Sequence, residues 1–456
     1  MLCIIVSRAD SASVHIGEQL LDLESWEEFE DNSRPDGEGG KTVYETDGAR
    51  LREFDRRHLD MVRPAEVFED PTLVVFASRH AGETGPLLTA HHTGNVGAAD
   101  HGGRANELAR TCPNALDVVL DSLAAYAPEG YEVGIECTHH GPSDVGAPSM
   151  FVEVGSDVPQ WDDPAAARAV ARAILDLRGV APDRTGEHDS QSGRPQHLVG
   201  VGGGHYAPRF ERVLRETDWA VGHILAEWGL DALAEFDDET VRHVLQQAFE
   251  QSRADYALVD GDYPEIEAAI EALGYHTVSE TWVRETDGVD PSFVDAVETE
   301  LGTVEGGVRF GEHASAVTAD DEWVLTSVSS EVIDEAFAID RERTWTAVEE
   351  VALAFDTEEG GTRPEGALVL EDEDDHERLL ERLLDVFRTR YDSVERHDDA
   401  VVLSEVAFDP GRAHDLGVPE GPAFGKLANG QSVEVDGETV RPADVRSEQT
   451  TRLRLE

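Results

Sequence analysis

The nine residues TLVVFASRH, positions 72–80, join an apolar, β-prone run to a polar end. The run begins directly after Pro71 and reaches Ala77, which predicts a buried strand followed by Ser78-Arg79-His80. In open α/β sheets, ligands bind beyond the carboxyl ends of the strands. The stretch therefore predicts a sheet of this class with a polar site at its edge.

Strands and helices alternate on both sides of this stretch. Further strands are predicted at Leu2–Val6, Glu132–Cys137, Met150–Val154 and His197–Val201. Helices are predicted at Ala12–Leu23, Asn106–Tyr126, Asp163–Leu177 and Thr240–Ser252. This order favours an α/β fold, a mixed sheet flanked by helices.

The length of 456 residues indicates at least two domains. The polar segment 285–291 contains Gly288 and Pro291, and the strand and helix pattern restarts beyond it with a charged helix at Asp372–Tyr391. Short alternating segments at Val435–Val445 suggest a small β-rich segment at the end of the second domain. We therefore expect an α/β domain at residues 1–284 and a smaller α+β domain at residues 285–456.

Acidic residues number 96 against 37 basic ones, for a formal net charge of -59, and the excess runs along almost the whole chain. Only two of the basic residues are lysines, Lys41 and Lys426. A hydrophobic content of 40% in periodic blocks argues for packed cores rather than disorder. The pattern resembles halophilic archaeal proteins, whose self-repulsion is screened over about 3 Å in molar salt. Function should therefore require salt.

The three cysteines, Cys3, Cys112 and Cys137, form no CxxC pair, so neither a disulfide framework nor a thiolate zinc site is indicated. The apolar run Met1–Val6 is too short for a signal-peptide core, and no later run reaches the length of a membrane span. We expect a cytoplasmic protein that does not contact a membrane, with a monomer as the expected state.

Histidines and glycines cluster in four places where strands are predicted to end. The clusters are SRH at 78–80 with LTAHHTGN at 88–95, ECTHHGP at 136–142, FVEVGS at 151–156 with Trp161, and GGGHYAPR at 202–209. A strand period of two would put Glu136, Thr138 and His140 on one side and His139 on the other. The glycines of the last cluster would let backbone approach a ligand closely.

Imidazole and carboxylate together are the usual ligands of zinc, and an open zinc site lowers the pKa of its water to about 7. His80, Glu136, His139, His140 and His205 are the candidate ligands. The isolated histidines favour structural roles; they are His15, His58, His243 and His397. The chain has no HExxH or HxHxDH run to fix the ligand set, and no GxSxG elbow, so activated water is the expected nucleophile.

In this order, the four clusters resemble the archaeal-type D-aminoacyl-tRNA deacylase family, which is also found in plants and carries SRH, LTxH…GN, THHGP and GGGHYAP motifs. Residues 7–13, 151–161 and 221–224 match further, so the resemblance covers roughly residues 1–280. It implies a phosphorylase or peptidyl-tRNA hydrolase type of fold and a zinc cofactor. It also implies hydrolysis of D-aminoacyl-tRNA to free tRNA and a D-amino acid.

Individual roles are inferred for the residues at matching motif positions. Glu153, His91 and Tyr206 are predicted to be catalytic, with Glu153 handling protons. The residues predicted to bind substrate are Asn95, Thr138, Gly202, Gly203, Gly204 and Arg209. The three glycines would form a wall that excludes an L side chain. The role of His92 stays open, because the pair His91-His92 stands where the motif has one histidine.

The tRNA partner requires basic residues despite the net charge of -59. Candidate phosphate contacts are Arg50, Arg52, Arg56, Arg57, Arg63, Arg209, Arg212 and Arg215, although pairing with neighbouring acids explains them equally well.

Residues 286–456 have no counterpart in shorter family members, but 416–427 resembles a segment of RNase Z-type nucleases, which suggests a tRNA-related role. A peptidyl-tRNA hydrolase-like esterase and a nucleoside phosphorylase-like enzyme are the alternative functions. A binding module without catalysis is a third.

Overall fold

The computed structural model describes residues 1–184 and 195–455. The chain divides into two compact units, Met1–Pro291 and Ser292–Glu456. The division, after Pro291, lies beyond residue 284, at which the sequence pattern predicts the end of the first domain. The helix Glu280–Glu285 belongs to the first unit because Trp282 is buried there, with its ring 5.2 Å from that of Trp219.

The first unit alternates strands and helices. Its strands are β1 (Leu2–Ser7), β2 (Glu27–Asp31), β3 (Lys41–Thr46), β4 (Ala49–Phe54), β5 (Leu73–Arg79), β6 (Leu87–His91), β7 (Gly94–Asn95), β8 (Glu107–Leu108), β9 (Glu132–Ile135), β10 (Ser149–Gly155), β11 (His197–Gly202), β12 (Ala220–Leu225), β13 (Tyr256–Asp260) and β14 (His276–Val278). Its helices are α1 (Ser11–Leu23), α2 (Pro113–Tyr126), α3 (Val158–Trp161), α4 (Pro164–Asp176), α5 (Pro208–Glu216), α6 (Glu227–Leu233), α7 (Asp238–Ser252), α8 (Pro264–Ala272) and α9 (Glu280–Glu285).

Two sheets organise the described part of this unit. The larger has the strand order β2-β3-β4-β1-β5-β10-β6-β9, and the smaller has β12-β11-β13-β14. In the larger sheet β1, β4, β5 and β10 run parallel, whereas β6 is antiparallel to β10 and parallel to β9. The smaller sheet is parallel throughout. The predicted mixed sheet flanked by helices is confirmed.

The central strands are buried on both faces, which explains their unbroken apolar runs. Phe76 of β5 stacks on Phe151 of β10 with ring centroids 4.6 Å apart, in a core that includes Cys3 and Ile5 of β1. Helix α1 begins after Asp10, whose side chain accepts hydrogen bonds from two backbone N–H groups of the first turn. The core and this cap fix the edge of the sheet where β1 and β5 end.

Two sequence predictions need correction. The helix predicted from Asn106 begins only at Pro113, because β8 pairs with β7 instead. The strand predicted to reach Cys137 ends at Ile135. Beyond it the Cys137 N–H donates to the carbonyl of His205 and the Thr138 N–H to that of Ile224, which draws the chain towards the smaller sheet. Strand alternation therefore does not apply to residues 136–140.

The second unit is a smaller α+β structure, as predicted. Its helices are α10 (Pro291–Glu300, which starts at the division), α11 (Ser330–Ile339), α12 (Arg341–Glu349), α13 (Glu373–Phe387), α14 (Pro410–Asp415) and α15 (Pro422–Ala428). Its strands are β15 (Arg309–Phe310), β16 (Val324–Ser327), β17 (Ala354–Glu358), β18 (Arg363–Leu370), β19 (Ser393–Arg396), β20 (Ala400–Phe408), β21 (Val433–Val435), β22 (Glu438–Val440) and β23 (Arg446–Arg454). Among the helices of both described ranges, none is long and apolar enough to cross a membrane.

Candidate active site

The strand ends of the first unit collect polar side chains around one cavity of about 580 Å³. His80 follows β5, His91 ends β6, Glu153 lies on β10, and the loops after β9 and β11 supply residues 136–140 and 205–206. The lining consists of Ala9, Asp10, Arg57, His58, Leu59, Ser78, Arg79, His80, Ala81, Asp100, His101, His139, His140, Phe151, Glu153, His205 and Trp228. A volume of this size accommodates a small ligand or the end of a larger one.

Three imidazoles converge at this site: His91, His139 and His140. A ring nitrogen of each lies within 4.8 Å of those of the other two. The Nδ1 atom of each ring donates to a backbone carbonyl oxygen, at 2.9 Å for His91 and 2.8 Å for His139 and His140. Since a carbonyl only accepts, each Nδ1 carries a proton, and in the neutral form of each ring Nε2 keeps its lone pair. Three acceptor nitrogens with fixed tautomers thus share one site.

The protonation states of two of these rings suit metal binding. Burial lowers the pKa of His139 to about 3 and holds the pKa of His140 well below its ordinary value. Burial acts in the same direction on His91, but the Glu153 carboxylate outweighs it and raises the pKa of His91. Neutral imidazole is the form that binds metal, so His139 and His140 are available as ligands at neutral pH.

The fit to a cation is clearest at His91. Its Nε2 atom is buried and has no hydrogen-bond partner among the described residues, and the nearest carboxylate oxygen, on Glu153, is 3.9 Å away. A buried polar atom without a partner costs about 1–3 kcal/mol. A metal ion at the converging nitrogens would remove that cost.

A second group lies beside the first and consists of His80, Glu136 and Glu153. His80 Nδ1 is 3.2 Å from Glu136 Oε1 and 3.9 Å from Glu153 Oε2, and its Nε2 accepts from the Tyr206 hydroxyl at 3.2 Å. Burial raises the pKa of Glu153. Burial also opposes ionisation of Glu136, but hydrogen bonds from His205 and His80 outweigh it and hold the pKa of Glu136 well below its ordinary range.

His205 joins this second group to a third. Its Nε2 donates to Glu136 Oε2 at 2.7 Å, and its Nδ1 lies 3.6 Å from the Cys137 sulfur. Despite burial, Cys137 and Glu136 raise the pKa of His205 to about 9. Ligand atoms of Cys137, His139 and His205 also lie within 4.8 Å of one another. The ligands predicted from the sequence are therefore brought together, with His91 and Cys137 added to them.

The residues predicted to bind substrate lie differently. Asn95 donates to two backbone carbonyls of the loop at 102–104, and the Thr138 hydroxyl is shared between His223 and the backbone N–H of Ile224. The glycines at 202–204 and Arg209 are not among the described residues that line the cavity, and Arg209 pairs with Glu280 at 3.2 Å. The structure thus shows Asn95 and Thr138 engaged within the protein and Arg209 paired on α5.

The sequence clusters include Phe151 and Trp161 but predict no role for their aromatic rings. Phe151 stacks on His91 with ring centroids 5.2 Å apart and an interplanar angle of 10°, and its edge contacts His140 at 4.9 Å. The Trp161 indole N–H donates to the His80 carbonyl at 3.0 Å. The role of Phe151 could have been found from the strand period, because Phe151 shares a face of β10 with Glu153.

Most of the arginines proposed as phosphate contacts are paired with acids, as the alternative explanation requires. The pairs are Arg50–Glu45 at 2.7 Å, Arg52–Asp31 at 2.8 Å, Arg57–Asp60 at 3.0 Å, Arg63–Glu66 at 2.9 Å, Arg212–Glu280 at 2.7 Å and Arg215–Glu211 at 2.8 Å. The exposed pairs among them, such as Arg57–Asp60 and Arg63–Glu66, contribute little to stability. They also occupy the guanidinium groups that a phosphate would use.

Comparison with known proteins agrees with the motif resemblance. A family profile described as D-aminoacyl-tRNA deacylase matches residues 67–278. A D-aminoacyl-tRNA deacylase of Haloarcula marismortui is 52% identical over 457 residues, covering 100% of both chains. The chain belongs to the D-aminoacyl-tRNA deacylase family. A further deacylase, of Natronomonas pharaonis, is 51% identical over 98% of both chains.

The family extends beyond haloarchaea. A D-aminoacyl-tRNA deacylase of Methanoregula boonei is 34% identical over 85% of this chain and 86% of its own. The crystal structure of AF0625, a conserved protein of unknown function, is 28% identical with a TM-score of 0.53, covering 63% of this chain and 98% of that chain. The similarity to the Haloarcula relative thus spans both units of this chain, whereas the solved structure matches a part of this chain.

Proposed function

We propose that this protein hydrolyses the ester bond of D-aminoacyl-tRNA, releasing free tRNA and a D-amino acid, at a zinc centre in the cavity of the first unit. Family membership supports the substrate. The observation that carries the chemistry is the convergence of His91, His139 and His140, each with Nδ1 bonded to a backbone carbonyl, together with the buried Nε2 of His91, which has no hydrogen-bond partner among the described residues. We further propose that it acts in the cytoplasm, as a monomer.

In this proposal His91, His139 and His140 hold the metal. Three nitrogen ligands with an open fourth position are typical of catalytic zinc. Bound there, zinc would polarise an ester carbonyl and lower the pKa of water. This assigns His91 a ligand role, in place of the catalytic role predicted from the sequence, because its unpartnered Nε2 points to a ligand.

Glu153 is the proposed proton carrier. It is 3% exposed, and its two oxygens lie 3.9 Å from His91 Nε2 and from His80 Nδ1. As general base it would take a proton from water as the water oxygen bonds to the ester carbonyl carbon. When the bond to the ribose oxygen breaks, the same proton would pass to that oxygen, so that a neutral hydroxyl leaves.

Glu136, His80 and His205 form the other wall of the site. Glu136 accepts from His205 at 2.7 Å and lies 3.2 Å from His80, so one buried carboxylate orients two rings. Tyr206 donates to His80 and is 37% exposed, which leaves its ring accessible to substrate. The pKa of His205 is raised to about 9, so its ring is protonated at neutral pH, and we propose that these residues position the ester.

The two units have separate proposed tasks. The residues that line the cavity all lie between Ala9 and Trp228, so we assign the chemistry to the first unit. We propose that the second unit contributes contacts to tRNA. Comparing tRNA affinity of the intact protein with that of a Lys426→Glu variant tests this second assignment, because Lys426 is one of two lysines in the chain. Unchanged affinity would count against it.

The decisive experiment compares hydrolysis of D-Tyr-tRNA and L-Tyr-tRNA in molar KCl, before chelation, after chelation and after zinc return. We expect only the D-ester to be cleaved, activity to fall on chelation and zinc to restore it. Activity untouched by chelation would contradict the metal centre. Cleavage of N-acetyl-L-Tyr-tRNA in preference to the D-ester would favour a peptidyl-tRNA hydrolase, and phosphorolysis of inosine would favour a nucleoside phosphorylase.

A further inference from the structure

Arg79 stands next to the site and differs from the other arginines near it. It ends β5, directly before His80, and its side chain is 41% exposed on the wall of the cavity. Among the described residues, the carboxylate within salt-bridge range of it is that of Asp10, with Arg79 Nε 3.9 Å from Asp10 Oδ1. By contrast Arg57, on the same cavity, pairs with Asp60 at 3.0 Å.

The Asp10 carboxylate is already occupied. Its Oδ1 accepts from the backbone N–H groups of Ala12 and Ser13 at 3.0 and 3.4 Å. Its Oδ2 accepts from the Ser78 hydroxyl at 3.4 Å and from the backbone N–H of Arg79 at 3.2 Å. Asp10 thus fixes the backbone beneath Arg79, while no residue in the described ranges accepts a hydrogen bond from the guanidinium N–H groups. In a chain with 96 acidic residues, a guanidinium left free at a cavity wall suggests an anionic ligand.

The guanidinium is also held in place. The Arg79 Cζ atom lies 4.8 Å from the ring centroid of Trp161, within the range of a cation–π contact. The Trp161 indole N–H donates to the carbonyl of His80, so this support is tied to the strand end that carries the site. An arginine restrained by an aromatic face loses less freedom on binding, and its fork of N–H groups matches a phosphate bidentately.

We propose that Arg79 binds the phosphate that joins the last two nucleotides of the tRNA substrate. The inference rests on the proposed function. In an aminoacyl-tRNA the terminal ribose carries the ester on its 2′ or 3′ oxygen and this phosphate on its 5′ oxygen, so one sugar ring separates the two groups. Arg79 and His80 are consecutive residues that line one cavity, which matches that short separation. Arg79 is therefore a positioning residue that places the ester against the site.

The test uses two substrates that differ in this phosphate. D-Tyr-tRNA carries it, whereas 2′(3′)-O-D-tyrosyl-adenosine carries the same ester without it. For Arg79→Gln we expect kcat/KM on D-Tyr-tRNA to fall about 10- to 100-fold, mainly through KM, as for loss of a charged hydrogen-bonded contact. We expect kcat/KM on the adenosine ester to stay within about twofold of the wild-type value.

The matched control is Arg168→Gln. Arg168 has a similar exposure of 37% but pairs with Asp22 at 3.2 Å and is not part of the described cavity lining. Arg168→Gln should leave kcat/KM unchanged on both substrates. Arg79→Lys keeps the charge without the fork and should show an intermediate loss on tRNA alone. It replaces Arg79→Gln as the test if that variant does not fold.

A second readout is the dependence of kcat/KM on salt. Loss of one phosphate contact should reduce the slope of log kcat/KM against log [KCl] by about 1 on D-Tyr-tRNA. Equal losses on both substrates, or no loss on tRNA, would overturn the assignment of Arg79. A wild-type protein that cleaves neither D-ester contradicts the proposed function itself, whereas an active wild type with an unaffected Arg79→Gln variant contradicts this inference alone.

Discussion

Replacing His91 with leucine should change the response of the protein to zinc far more than its stability without zinc. In metal-free protein, His91→Leu loses the bond from Nδ1 to the His92 carbonyl, about 1 kcal/mol, and the stack on Phe151, about 0.5–1.5 kcal/mol. It also removes the buried, unpartnered Nε2, which costs about 1–3 kcal/mol in the wild type. These contributions oppose one another, so the net change should be within about 1 kcal/mol.

With zinc the two proteins should differ. A ligand at 100 times its Kd stabilises the folded state by about 2.7 kcal/mol. For a unit of this size that corresponds to a Tm increase of about 5 °C in the wild type. His91→Leu retains two of the three converging imidazoles, so at the same zinc concentration most of this increase should be lost. Thermal unfolding in molar KCl, with chelator and with added zinc, measures both quantities.

His58→Leu is the matched control. His58 is 3% exposed, its Nε2 is also without a partner among the described residues, and its ring contacts Phe151 at 5.6 Å. It belongs to none of the candidate ligand groups, so its variant should keep the full zinc response. If His91→Leu and the wild type gain equally from zinc, His91 is not a ligand and the proposed centre is wrong.

Four further results are expected. Glu153→Gln should lower kcat on D-Tyr-tRNA by about 10²- to 10⁴-fold with zinc content unchanged, and a smaller loss would remove Glu153 as the proton carrier. Gly203→Val should lower Tm without altering the ratio of D- to L-ester hydrolysis, because Gly203 has φ +73° and its Cβ would lie 2.8 Å from Asp260 Oδ2. Moving from molar to 0.1 M KCl should lower Tm, since the Debye length grows from about 3 to about 10 Å around a charge of -59. Burial lowers the pKa of His197 from 6.5 to about 4, so between these pH values the unfolded chain binds a proton that the folded chain does not. The free energy of unfolding should therefore fall by up to about 1.4 kcal/mol per pH unit as the pH drops from 6.5 towards 4. Denaturant titrations should show that His197→Gln loses this part of the pH dependence.

The fold was largely predictable because its strands are buried on both faces. The run from Thr72 and the run from Met150 are read directly as strands, and the structure has them at Leu73–Arg79 and Ser149–Gly155. The start of α2 was not predictable from periodicity. Residues 107–108 have the apolar spacing of a helix, but they pair as strand β8 with β7 (Gly94–Asn95). This tertiary pairing overrides the local helical pattern.

The site was predictable as a set of residues but not as a set of roles. Clusters at strand ends identified the histidines and the two carboxylates. Which nitrogen of His91 is free depends on a carbonyl one residue away, and whether Thr138 faces a ligand depends on His223, far along the chain. Arg57, which the sequence suggests as a phosphate contact, pairs with Asp60 at 3.0 Å, whereas Arg79 lies 3.9 Å from Asp10 and over the Trp161 ring. Such distinctions arise from tertiary contacts that spacing does not encode.

The loop after β9 is bonded through its main chain to the loop after β11, at His205, and to strand β12 of the smaller sheet, at Ile224. We therefore expect the imidazoles at 139 and 140 to reach the one at 91 only after both sheets have formed. Pairings between residues this far apart form late in folding, because a long loop must close first. Capture of a metal ion at the proposed centre should consequently mark the final step of refolding, and a chain held before that step would retain secondary structure while binding the metal weakly.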